Sequence, residues 1–345
     1  MTVSKRFILL TLVAMFCAFS LTGIVQPAEA APVVLKFAGQ NPPEHFATVS
    51  MNEIAKEVAQ KTNNRVQIKV FPANQLGDYS LVYEELIRGT VEMACISFPS
   101  QFDNRMDLIY VQGYTSSYEQ VANVYDPNGW FFKKMDEFNS RLGVKLLGMY
   151  LEGMVGIGTV KPMKEPLNPK VDKGLLLRIP NMDVFKTALE GAGFRTISIP
   201  FADVYQSMQT GVCDGDTGYS IVAAYTTFGD VIKHWYNFNK NTECLGIMIS
   251  DKVWKKLSAE DRKVLQQAVS KQAALSITNA KANDQKYLDL MKKKGIQVHM
   301  YTPKELKPMM DAFAATWGQL DQSKGKDLMD EFKKEMKKIS DKIAK

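Results

Sequence analysis

The chain has 345 residues, 46% hydrophobic and 23% charged, with a net charge of +6, four cysteines and three histidines. The basic excess is mild, and its Lys runs at 292–294, 333–334 and 337–338 alternate with acids as on solvated helix faces, which argues against a nucleic-acid partner. His45, His234 and His299 are scattered without ligand spacing, so neither a metal nor another cofactor is expected.

The first thirty residues read as a cleavable secretory signal. Lys5 and Arg6 supply the positive start, Phe7 to Val25 the apolar stretch, and Ala28-Glu29-Ala30 the small-x-small cleavage site. Bulky Phe16 before Cys17 excludes a lipoprotein signal, and no later segment is apolar and long enough to span a bilayer. Cleavage after Ala30 leaves roughly 315 residues, enough for two ordinary domains. The mature cysteines, Cys95, Cys213 and Cys244, are odd in number and lack a Cys-x-x-Cys pair. They read as three buried apolar side chains.

Val33 to Ala38 predicts a buried strand, and Pro42-Pro43 enforces a loop after it. A helix from Phe46 and an alternating strand at Val66, Ile68 and Val70 come next. Beyond them lie a helix over 79–88, a strand over 91–97, helices over 117–140 and a strand from Val144 to Met149. After the Pro- and Lys-rich loop 161–173 a second series begins. It comprises strand 175–178, helix 182–191, strand 196–199, helix 202–210 and a short strand at Val212-Cys213. Leu245 to Ile249 reads as one more strand. From Ser258, an N-cap with acids behind it, the chain reads as helical to its end. Such alternation predicts βαβ units with largely parallel sheets and two lobes.

Several strings in this order resemble the solute-binding proteins of tripartite ATP-independent periplasmic (TRAP) transporters of the dicarboxylate-binding type. They include Phe71-Pro72-Ala73-Asn74-Gln75-Leu76-Gly77, Leu177-Arg178-Ile179-Pro180-Asn181, Pro200-Phe201-Ala202-Asp203 and Gly211-Val212-Cys213-Asp214-Gly215. The resemblance implies an α/β, two-lobed periplasmic binding protein with a sheet flanked by helices in each lobe, a ligand cleft between lobes and long C-terminal helices. The lobes would span 31–153 with about 244–282, and 154–243 with about 283–345. It also implies a small carboxylate ligand, small and large TRAP membrane subunits as partners, a monomer, and no catalytic residue.

By the same resemblance, Arg178 is the ligand clamp. A planar, always charged guanidinium suits a carboxylate, so Arg178→Ala is expected to abolish uptake with the fold intact. Gln40, Ser97, Asn181 and Phe201 fall at further matching positions. Two departures bear on specificity: Glu152 and Val155 stand where the family's second arginine string lies, and Asp216, Gly218 and Tyr219 replace its usual Asn-containing string. Acids facing the cleft would repel a second carboxylate, so the expected ligand is a monocarboxylate packed by Phe201, Tyr219 and Val155. A sensor subunit with the same fold, or the binding protein of an ATP-driven importer, would read identically. A secreted enzyme lacks its motifs, since there is no Gly-x-Ser-x-Gly, and Tyr225 closes the calcium-loop spacing that begins at Asp214.

Overall fold

The opening apolar run forms β1 (Val33–Gly39), buried from Phe37 onward. His45 then caps α1 (Phe46–Lys61), its Nδ1 accepting from the Ala47 amide at 3.1 Å. The computed structural model describes residues 31–115 and 117–343, so the signal expected at 1–30 lies outside the described residues. From Val34 to Lys345 the chain forms one compact unit.

β2 (Val66–Phe71) leads to α2 (Tyr79–Arg88), which Asp78 caps and Gly89 ends in a left-handed turn. β3 (Met93–Ile96), a 3₁₀ turn at Met106–Tyr110, α3 (Tyr118–Val124) and α4 (Trp130–Arg141) precede β4 (Val144–Thr159). β4 outruns the expected end at Met149 by ten residues. Leu151-Glu152-Gly153 breaks the apolar pattern there because the strand bulges between Leu151 and Gly153. β5 (Leu176–Ile179), α5 (Asp183–Gly191), β6 (Arg195–Ser198) and α6 (Val204–Thr210) match expectation closely.

The next strand does not. It is β7 (Gly215–Ser220), since Val212 and Cys213 lie in the turn after α6. After α7 (Ile221–Thr226) come β8 (His234–Asn237), unforeseen in the sequence, and β9 (Thr242–Ser250), which starts three residues earlier than expected. α8 (Asp251–Trp254) and α9 (Ala259–Lys293) are next. Ser258 caps α9, accepting from the Asp261 amide at 3.0 Å with Glu260 and Asp261 in the first turn. A short strand, β10 (Gln297–Met300), interrupts the otherwise helical end of α10 (Pro303–Ala315), α11 (Asp321–Lys324) and α12 (Lys326–Ile343). Among the described residues no helix is long and apolar enough to cross a membrane.

The strands form one sheet in the order β2-β1-β3-β9-β4-β7-β5-β6, with β8 beside β4 and β10 outside β8. It is mixed rather than largely parallel. β1 and β3, β5 with β6 and β7, and β8 with β10 run parallel, but β9 opposes β3 and β4, and β4 opposes β7 and β8. The cause is a broken strand. β8 pairs with Ile157–Thr159 and β9 with Val144–Met154, so the two run in succession along one edge of β4, interrupted at Phe238–Asn241. Val155 bridges the break, donating to the Asn241 carbonyl at 2.9 Å and accepting from the Lys240 amide at 3.3 Å.

Two apolar clusters hold this arrangement. One joins α1 and the start of α9 to β1, β3 and β9 through Phe37, Ile54, Ile249 and Val269. The larger runs from Tyr83 and Phe98 through Met154 and Trp235 to Phe332. Cys95, Cys213 and Cys244 are free and buried.

Candidate functional site

Arg178 sits near the end of β5, pointing away from water: its side chain is 1% exposed. Its Nε donates to the Ile199 carbonyl at 2.8 Å, and its Nη1 reaches Asp216 at 3.2 Å and the Thr217 carbonyl at 3.4 Å. Nη2 has no hydrogen-bond partner among the described residues. The guanidinium is therefore fixed on one side and free on the other. The expectation that Arg178 is a cleft cation of little structural weight is corrected by this burial.

Arg178 lines a narrow cavity of about 10 Å3. Its walls are apolar and aromatic: Tyr79 from the start of α2, Tyr110 from the 3₁₀ turn, Met182, Phe185 of α5, and Phe201. Pro180 and Gly218 close one side, and Ser97 and Glu243 supply the other polar groups. The Phe201 ring centroid lies 6.0 Å from the guanidinium carbon. Gly218 has φ +94, and a Cβ there would come within 2.7 Å of Pro180, so no side chain fits where the resemblance expects Asn.

Of the residues singled out in the sequence, Arg178, Ser97 and Phe201 line this cavity. Gln40 stands behind Ser97, accepting from its amide at 2.9 Å and donating from Nε2 to its hydroxyl at 3.1 Å. Asp216 lies on the far side of Arg178, fully buried. Glu152 is also turned inward, accepting from Asn41 and from Ser220, the latter at 3.3 Å, with His45 Nε2 at 3.8 Å. Val155 and Tyr219 are buried outside the lining, Tyr219 against Phe228 with ring centroids 4.7 Å apart. Asn181 is exposed and offers only its carbonyl, to Ser100. Tyr79, Tyr110, Phe185 and Glu243 were not found from the sequence. Glu243 had a signal: a lone acid on the flank of the apolar run Cys244–Ile249, whose strand begins before it.

The surrounding charges are unusual. Burial pushes the carboxyls of Asp216, Glu152 and Asp284 up to about 7, against the pull of Arg178 on Asp216 and of hydrogen bonds on the other two. Burial also lowers His45 to about 3 and Lys240 to about 7. Glu243 is raised well above the carboxylate range by burial and by the nearby Glu152. Lys240 Nζ is held by Gln112 at 2.6 Å and Asn241 at 3.2 Å.

These groups set a pH dependence. An acid with a raised native pKa holds its proton when folded and releases it on unfolding. Its stabilisation is complete below about pH 4 and is lost as pH rises through about 7. His45 acts oppositely, costing stability as pH falls below its unfolded value near 6.5. Lys240 acts in the same sense as His45 above about pH 7, but the raised acids, Glu243 among them, outweigh both, so the melting temperature is expected to be higher at about pH 5.5 than at about pH 8, and Glu152→Gln should flatten the profile. A profile rising between those values would contradict these assignments.

Residues 37–324 match the family described as bacterial extracellular solute-binding protein, family 7, the DctP family. The chain belongs to that family. A family 7 member is a solute-binding protein and not an enzyme. Among curated relatives, the C4-dicarboxylate-binding periplasmic protein DctP of Vibrio cholerae is 26% identical over 91% of this chain and 93% of its own. Among solved structures, the sugar acid binding protein DctPAm of Advenella mimigardefordensis, in complex with galactonate, superposes with a TM-score of 0.82. It is 18% identical and covers 89% of this chain and 99% of its own. A TRAP periplasmic solute-binding protein from Shewanella oneidensis with bound succinate gives 0.79 at 22% identity, covering 89% and 100%. These likenesses bear on the fold: the mixed, helix-flanked sheet and long C-terminal helices are those of TRAP periplasmic binding proteins. Among the described residues no three His, Cys, Asp or Glu side chains are grouped as metal ligands.

Proposed function

We propose that this family 7 protein is the periplasmic solute-binding subunit of a TRAP transporter, and that it captures a small organic monocarboxylate with an apolar or aromatic body. Residues 1–30 direct its export and are cleaved. The mature monomer presents its liganded form to the small and large permease subunits. The two sheet halves act as lobes, hinged where β4 and the β8–β9 break cross between them.

The observation that carries the reading is the guanidinium of Arg178, anchored through Nε and Nη1, without a hydrogen bond from Nη2 among the described residues, and lining an aromatic-walled cavity. Such a group meets a carboxylate with charge-assisted hydrogen bonds, and ring faces fit an apolar body. Among the described residues Arg178 is the one cation in the lining, whereas Lys240 is engaged by Gln112. A second carboxylate would find no further cation among the described lining residues, so dicarboxylates are disfavoured.

The test is a thermal-shift screen of ligand-stripped mature protein against mono- and dicarboxylates, because a ligand specific to the native state raises the melting temperature by mass action. Monocarboxylates are expected to give the larger shifts. A dicarboxylate that outperforms every monocarboxylate would defeat the specificity reading, and silence from both classes would defeat the carboxylate reading itself.

A further inference from the structure

Glu243, the second residue of β9, lies directly opposite Gly153 of β4 and lines the same cavity as Arg178. It is 2% exposed, yet forms no ion pair among the described residues, because Arg178 is committed to Asp216 and Lys240 to Gln112 and Asn241. Buried without a counter-cation, Glu243 holds its proton in the empty site, and an ammonium placed beside it would draw that proton off.

The surroundings fix one of its oxygens and leave the other open. Ser97 Oγ receives a hydrogen bond from Gln40 Nε2 at 3.1 Å, so its single proton is directed to Glu243 Oε1, 2.9 Å away. The Tyr110 hydroxyl spends its proton on the Cys244 carbonyl at 2.9 Å and accepts from the Phe98 amide at 3.0 Å. Oε2 has no hydrogen-bond partner among the described residues, although Glu243 lines the cavity. Among the lining side chains there is thus one unfilled cationic edge, Nη2 of Arg178, and one unfilled acidic edge, Oε2 of Glu243.

We propose that Glu243 is the second polar contact of the ligand and that the solute is an amine-bearing carboxylate of the amino acid type, its carboxylate on Arg178 and its ammonium on Glu243. This rests on the carboxylate reading above. A simple monocarboxylate offers Glu243 no cationic partner, whereas a zwitterion does. Its cation replaces the missing counter-charge of Glu243 at short range in a dry enclosure, where such a pair is strongest.

Calorimetric titration of the ligand-stripped protein with matched sets tests it: phenylalanine, 3-phenyllactate and 3-phenylpropanoate, and leucine, 2-hydroxy-4-methylpentanoate and 4-methylpentanoate. An amino acid is expected to bind about a hundredfold more tightly than its desamino partner, and Glu243→Gln to erase most of that difference while leaving desamino binding within about threefold. If Glu243→Gln does not fold, Ser97→Ala is expected to weaken amino acid binding selectively. Desamino or hydroxy acids binding as tightly as the amino acids, or discrimination that survives Glu243→Gln, would overturn the assignment and leave the carboxylate reading standing. Failure of all six to bind would overturn both.

Discussion

Arg178→Ala is expected to abolish carboxylate binding, lowering affinity at least about a hundredfold, and also to destabilise the protein by about 3 kcal/mol. The second effect comes from burial. Removing a guanidinium that is 1% exposed strands the Asp216 carboxyl, itself fully buried, and leaves the Ile199 and Thr217 carbonyls without their donor. The cost stays near the lower end for a broken buried pair, because burial already pushes Asp216 up to about 7 and a stranded carboxyl can take up a proton. Loss of binding in the single variant would therefore be ambiguous on its own. Arg178→Met combined with Asp216→Asn removes both charges and is expected to recover most of the stability while recovering no binding. Chemical denaturation and titration calorimetry on the same samples separate the two effects. A double variant that regains affinity would mean that another cation holds the ligand.

The sequence carried the site only where chemistry sits on a recognisable string. Arg178, Ser97 and Phe201 lie at strand ends or just past them, so fixing β3 and β5 within a residue or two was enough to place them in the lining. Glu152 and Asp216 were legible as acids near the site but not as inward-facing ones. Their orientation depends on the β4 bulge and on which strand Asp216 joins, and the short strand expected at Val212-Cys213 lies instead at Gly215–Ser220. Glu243 stood out as an acid on the flank of an apolar run but could not be placed at the site, because the break between β8 and β9 has no local signature: Asn237 to Thr242 reads as an ordinary polar loop, and only its pairing with Val155 across β4 reveals its place. The mixed sheet order was hidden for the same reason. Periodicity reports elements one at a time, whereas one strand running past two partners is a long-range fact.

That same strand supplies the second large effect. Gly153 lies within β4 at φ +142, and a Cβ added there would strike the carboxylate of Asp284 on α9. Asp284 is 1% exposed and pins the bulge, accepting from the Met154 amide at 2.9 Å and the Tyr118 hydroxyl at 2.6 Å. Gly153→Ala must therefore strain the backbone and displace this pin together, and is expected to cost at least about 4 kcal/mol. Because Glu152 is the bulged residue and Glu243 pairs with Gly153 beside it, the surviving folded fraction should also bind ligand more weakly. Gly143 provides the internal control: its φ is +76, and nothing lies within 4 Å of an added Cβ, so Gly143→Ala isolates the backbone strain at about 1 kcal/mol. Combining Gly153→Ala with Asp284→Ala relieves the collision but leaves the Met154 amide unpaired, so the pair should be less destabilising than the sum of the single changes. Strict additivity, or a Gly153→Ala cost no larger than that of Gly143→Ala, would mean that α9 does not brace the bulge and that the position of Glu152 is set within the sheet alone.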